Sequence, residues 1–176
     1  LPNLRIENPA GVTKLIGSYP MIITKSLDFR EGVFTFYSGS IVMESGATII
    51  RRSASARPSS PLSFRSPVDV SYLVKNKEGK ITTGFELPTS PTAVRKLEIR
   101  IPSGSRDSSS IVLGGDVTVG ENLLLQEGNF DLGNSRLTVT PGGSIEMNGG
   151  MILSDASGTI AVTSSSLIYR TSSTIS

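Results

Sequence analysis

NLLLQEGNFDLGNSRLTVTPGGSI, residues Asn122 to Ile145, contains apolar residues in pairs separated by one position: Leu123/Leu125, Phe130/Leu132 and Leu137/Val139. Val117/Val119 precede the series and Ile145/Met147 extend it, with first members six to eight positions apart. Residues two apart point to the same face of a strand, so this is period-two alternation in strands of about three to five residues. The pairs are punctuated by EG, GN, PGG and NGG, and Gly and Asn supply the positive φ that sharp corners need. A sandwich of hairpins wants longer strands and two-residue primed turns. Short, evenly spaced strands with bent corners fit a parallel solenoid, with Val, Ile, Leu and Phe stacked from rung to rung. The expected fold class is therefore all-β, a parallel β-helix or β-solenoid, with repeated β-sandwiches as the alternative.

The same stretch has a counterpart. SLDFREGVFTFYSGSIVMESGATI, Ser26 to Ile49, aligns with it at an offset of 96, matching Glu31-Gly32 with Glu127-Gly128 and Phe34 with Phe130. LRIENPAG (Leu4 to Gly11) aligns with LEIRIPSG (Leu97 to Gly104) at an offset of 93. We read two tandem units of about 94 residues, 1–92 and 93–176. FELPTSPTAV, Phe85 to Val94, leads into the second unit and has no equivalent before the first. The chain thus reads as an excerpt or processed piece of a longer array. Roughly seven or eight coils of about 20 to 25 residues, each rising about 4.8 Å, would make a stub on the order of 35 Å long with open sheet edges at both ends.

Composition narrows the chemistry. The 176 residues include no Cys, His or Trp, which excludes disulfides, thiolate metal sites and imidazole bases, and no cofactor is expected. No signal peptide and no apolar run of transmembrane length is visible, so a soluble chain without membrane insertion is expected. The net charge of +2 conceals an asymmetry: residues 1–100 carry 14 Lys and Arg against 8 Asp and Glu, and residues 101–176 carry 3 against 7. A polyanion-facing patch, head-to-tail attraction between units, or unrelated drift of solvated faces would each produce it.

Two segments break the rhythm. RRSASARPSSPLSFRSP, 51–67, is rich in Arg, Pro and Ser and lacks alternation, and it reads as an exposed loop. Its Arg51, Arg52, Arg57 and Arg65 are candidate contacts for an acidic polysaccharide or phosphate, or simply a solvated excursion. The segment 70–88 reads as a hairpin with a charged turn around Asn76 to Gly79. Tyr72 and Tyr169 hold similar places in the two units and read as strand-face residues.

The order GFELPTSPT, LRIENPAGVT and then VTVGENLLLQEGNFDLGNSRLTVTPGGSI resembles the repeat of large secreted surface proteins of Bacteroidetes and related bacteria. The resemblance covers nearly all of both units except the Arg/Pro-rich segment. It implies an extracellular, β-helical stalk or passenger region at the cell surface with structural or adhesive roles, and it brings no catalytic residues. The Arg-rich segment and KNKEGK are more charged than that pattern and put a specialised contact in play.

Three function classes follow. A non-catalytic structural or adhesive module, self-associating or joined to adjacent repeats through its sheet edges, is the leading expectation. A polysaccharide-binding module or a carbohydrate-active β-helix is the alternative. The enzyme would need paired carboxylates or a calcium site, with candidates Asp107, Asp116, Glu121, Glu127 and Asp131. Ice binding would need long Thr-x-Thr ranks, and nucleic-acid binding would need aromatics among the basic residues; neither pattern is developed.

Overall fold

A computed structural model describes residues 1–15, 19–37, 39–75, 79–88, 94–101, 109–155, 157–162 and 166–169. Its strands wind in successive turns. The first turn holds β1 (Asn3–Glu7), β2 (Val12–Leu15) and β3 (Met21–Ile23), and the second β4 (Ser26–Glu31), β5 (Val33–Tyr37) and β6 (Ile41–Met43). The third holds β7 (Thr48–Arg51), β8 (Arg57–Pro58) and β9 (Ser63–Phe64), and the fourth β10 (Val68–Leu73) and β11 (Lys80–Thr82). The fifth begins with β12 (Val94–Arg100) and β13 (Ser110–Val112). β14 (Val117–Asp131) closes that turn, bends, and supplies two sides of the next, which β15 (Arg136–Val139) completes. β16 (Ser144–Met147), β17 (Gly150–Leu153) and β18 (Thr159–Val162) make another turn, and β19 (Ser166–Tyr169) starts one more. All pairings among these strands are parallel, each strand bonding to its equivalent one turn away. The fold is a parallel β-solenoid.

The first side is the continuous one. Its inward residues form two columns: Leu4, Leu27, Ile49, Val70, Leu97, Leu123 and Ile145, and beside them Ile6, Phe29, Arg51, Tyr72, Ile99, Leu125 and Met147. From Leu27 to Ile145 every member of the first column is sealed from solvent. Removing such a side chain from water contributes about 1.5–3 kcal/mol, so the column is the main source of cohesion. Alternation brings the same face inward in each strand, and a one-residue slip would turn the whole set to solvent. The pairing of β10 with β12 carries the column past residue 92 without a break.

The steps along the first column run between 21 and 27 residues, as the spacing of Val70 from Ile49 and of Leu97 from Val70 illustrates. Leu4 to Leu97 spans four turns, and so does Leu27 to Leu123. The two alignment offsets are therefore both four-turn distances, differing only because the turns differ in length.

Corners repeat as well as columns. The register slips by one residue after Ile6, where Glu7 faces Glu31, and again after Ile99, where Arg100 faces Glu127. Each bulge ends at an EG corner whose glycine has positive φ, +79° at Gly32 and +88° at Gly128. A Cβ on Gly32 would fall 1.8 Å from the Asn8 carbonyl oxygen, and one on Gly128 would fall 2.8 Å from the Ile101 Cβ. The preceding turn leaves no room for a side chain at either corner.

Two expectations are corrected. Residues 51–67 are not a free loop: Arg57 and Pro58 pair with Val33 and Phe34, and Ser63 and Phe64 pair with Val42 and Met43. Pro58 is accommodated because the bond to β5 at this point uses the Ser59 N–H, which donates to the Phe34 carbonyl, and β8 is an edge strand among the described strands, so the missing proline N–H breaks no described ladder bond. Segment 70–88 is not a hairpin. β10 bonds to β7 and β12, β11 bonds to β13, and the two strands lie on different sides of the solenoid. Of the charged turn expected around Asn76 to Gly79, residues 76–78 lie outside the described residues.

Candidate functional site

The four arginines proposed as one anion site do not converge. Arg52 follows β7 on the first side, Arg57 lies in β8 on the second, and Arg65 follows β9 on the third, so the exposed members are distributed around one turn. Arg65 pairs with Glu44 at 2.8 Å. Arg51 points inward between Phe29 and Tyr72 and is 2% exposed, which removes it from any surface site. Strand alternation is the cause: Ile49 is inward, so Arg51 is inward too.

Inside, Arg51 is the hub of a buried polar cluster. Its Nη1 donates to Glu86 Oε1 at 2.6 Å and to the Thr82 carbonyl at 2.9 Å. Nε donates to the Ser53 carbonyl at 3.1 Å and Nη2 to the Ala54 carbonyl at 2.7 Å. Glu86 is fully enclosed, and its Oε1 also accepts from Tyr72 Oη at 3.1 Å and the Gly84 N–H at 3.1 Å. Glu86 Oε2 has no protein partner among the described residues. Burial, followed by the Glu86 charge, holds the Tyr72 hydroxyl well above the ordinary tyrosine pKa, with Arg51 opposing. The cluster sits where, among the described strands, β8 and β9 have no partner in the next turn, and the guanidinium supplies donors to three buried-side carbonyls there. It is closed to solvent, so no substrate reaches it.

The accessible feature lies at the corner just beyond the second column. Arg52, Leu73, Val74, Lys75, Arg100 and Glu127 border a cleft of about 320 Å³. Each polar member comes one to three residues after an inward column residue, Arg51, Tyr72, Ile99 or Leu125, so four successive turns bring them to one corner. Register confirms the stacking: Leu73 faces Arg100 and Arg100 faces Glu127, and the Val74 N–H donates to the Arg100 carbonyl at 3.1 Å. Arg52 Nε is held by Asp28 at 2.7 Å, and Asp28 is shared with Arg30 at 3.0 Å. Lys75 and Arg100 have no ion-pair partner among the described residues. Of the four predicted arginines only Arg52 contributes to this cleft. Lys75, Arg100 and the buried Glu86 were missed, although stacking the sequence by its column residues brings Lys75 and Arg100 beside Arg52.

The candidate carboxylates are scattered in role. Asp116 Oδ1 accepts from the Arg136 N–H at 2.8 Å, and Asp131 Oδ1 accepts from the Gly133 N–H at 2.9 Å. Glu121 approaches Lys96 at 4.0 Å, Glu127 borders the cleft, and Asp107 lies outside the described residues. No cluster of three or more acidic residues placed to hold a metal ion occurs among the described residues.

The rims of the stack differ from its middle. Among the described strands β1, β2 and β3 have one neighbour each, as do β17, β18 and β19. At the far rim the inward slots of Ile160 and Val162 stand 43% and 50% exposed, whereas Leu137 and Val139, their partners one turn below, are sealed. No helix among the described residues is long and apolar enough to cross a membrane. Compared with protein-family models, curated proteins and solved structures, the chain matches none of them.

Proposed function

We propose that the chain is a non-catalytic structural or adhesive module of an extracellular surface protein, one stretch of solenoid extended by further turns stacked on its rims. The half-exposed Ile160 and Val162 carry this reading: their side chains continue the apolar interior at a place where no further described turn covers them. Parallel edges with apolar slots accept another rung of the same kind, which supplies hydrogen-bond partners and burial together. Placement at a cell surface rests on the resemblance of the repeat phrases. The carbohydrate-active alternative has less support, since Asp116 and Asp131 serve backbone N–H groups at corners.

Light scattering on a sizing column, with negative-stain images of the same fractions, tests the proposal. Rods that lengthen with concentration, and that disappear in Ile160→Lys/Val162→Lys, are the expected result. A monomer at every concentration whose β18 amides are as protected from exchange as those of β15 would overturn stacking at this rim. Release of unsaturated or reducing uronate ends, assayed with and without calcium, would replace the structural reading with an enzymatic one.

A further inference from the structure

We infer that the corner cleft bordered by Arg52, Lys75, Arg100 and Glu127 binds an anionic oligosaccharide, its carboxylates or sulfates meeting the cations. Elsewhere on the described surface several arginines are occupied, Arg5 with Glu7, Arg30 with Asp28, Arg65 with Glu44 and Arg95 with both oxygens of Asp69, whereas Arg57 and Arg136 stand singly on other sides of the solenoid. Lys75 and Arg100 are exposed and without an ion-pair partner among the described residues, and unlike the single cations elsewhere they line one concave surface together with Arg52. Arg52 is tethered through Nε alone. A guanidinium tethered at one nitrogen keeps further N–H groups for an incoming oxyanion, and a carboxylate or sulfate fits that fork.

Geometry selects an extended ligand. The cations belong to three successive turns, and neighbouring parallel strands lie about 4.8 Å apart, so the donors climb the solenoid axis as a ladder. A linear chain bearing anionic groups at intervals can engage successive rungs. Chemistry then selects a sugar. Glu127 stands at the end of the ladder, where a carboxylate opposes densely charged polyphosphate but accepts hydrogen bonds from hydroxyls. Leu73 and Val74 offer an apolar floor suited to the C–H face of a sugar ring. Among the described residues no aromatic lines the cleft, and stacking on aromatics is what single-stranded nucleic acid would use.

The test uses the 176-residue chain with oligogalacturonate and a sulfated glucan as probes, and with neutral dextran and single-stranded DNA as controls, read by calorimetry at low and moderate salt. We expect salt-sensitive binding of at least one acidic glycan and none of dextran. Lys75→Ala/Arg100→Ala should weaken it by about tenfold or more, as expected for lost charge-assisted contacts. Arg57→Ala/Arg65→Ala, which removes two exposed cations outside the cleft, should leave it unchanged, and melting curves report that both variants remain folded. Preference between the two probes tells carboxylate from sulfate. Absence of binding to both glycans, equal losses in the two double variants, or DNA binding as tight as glycan binding would each overturn the proposal.

Discussion

Arg51 and Met147 occupy the same inward slot of the solenoid, four turns apart, and their surroundings show why one is charged. Met147 lies on Leu125, in a turn whose second and third sides, β17 and β18, each pair through four residues with the turn below. Arg51 lies on Phe29 and beneath Tyr72, in a turn whose β8 and β9 pair through only two residues each with the turn below and, among the described strands, have no partner above. The slot itself is suited to an apolar side chain. A guanidinium is held there where the neighbouring ladder is short, donating to the carbonyls of Ser53, Ala54 and Thr82. The irregular segment carrying Glu86 is thereby fastened to the regular one.

The sharpest way to break this comparison is to remove one partner only. Glu86→Leu leaves Arg51 buried without its counter-charge and should cost about 3–5 kcal/mol, read from urea unfolding. A loss below about 1 kcal/mol would show that the carbonyl acceptors alone suffice. Gly32→Ala probes the part of the stack that the two halves share, the EG corner. Its added Cβ must displace the Asn8 carbonyl at positive φ, and a cost of about 1–3 kcal/mol or more is expected. Gly46→Ala, also at positive φ but with no atom within 4 Å of the added Cβ, should cost less.

Tyr72→Phe removes a hydrogen bond to a buried carboxylate and should cost about 1.5–3 kcal/mol at neutral pH. That penalty should shrink in alkali. The folded-state pKa of Tyr72 is raised, so the unfolded chain loses its hydroxyl proton first as pH climbs past about 10, and the wild type loses stability that the Phe variant does not. A penalty constant across that range would remove the coupling between the hydroxyl and the cluster. The smallest effect is expected from the triple change Arg51→Met, Tyr72→Phe, Glu86→Leu. It gives the third turn the residue type found at 147, and replacing a whole buried ion pair by apolar groups is often neutral or stabilising. Equality with wild type within about 1 kcal/mol would mean the charge is one solution among others; a large loss would mean the carbonyls of Ser53, Ala54 and Thr82 depend on it.

The column was legible because each strand shows it locally. Leu123/Leu125, Phe130/Leu132 and Leu137/Val139 predict their own inward faces, and the Glu31-Gly32 and Glu127-Gly128 corners carry their positive φ in composition. What escaped depends on residues a turn or more apart. Arg51 reads as part of a polar run, and Glu86, which makes its burial tolerable, is 35 positions away. The alternation Ile49/Arg51, and the alignment of Arg51 with Met147, would have given its direction. Segment 70–88 misled for the opposite reason: the local turn chemistry was strong, while the partners of β10 lie 21 and 27 residues away along the chain. The cleft was invisible for the same cause, since Arg52, Lys75 and Arg100 meet only after the turns are stacked.

The column also has a genetic consequence. Because every turn returns the chain to the same slot whatever its length, gaining or losing a gene segment that encodes one whole turn restores the register at both joints. A one-codon insertion just before Leu123 in β14 is far less forgiving, for it turns Leu123 and Leu125 away from the interior they now fill. Length in such a chain can change by recombination in steps of a turn, and selection needs to police only the strands between the corners.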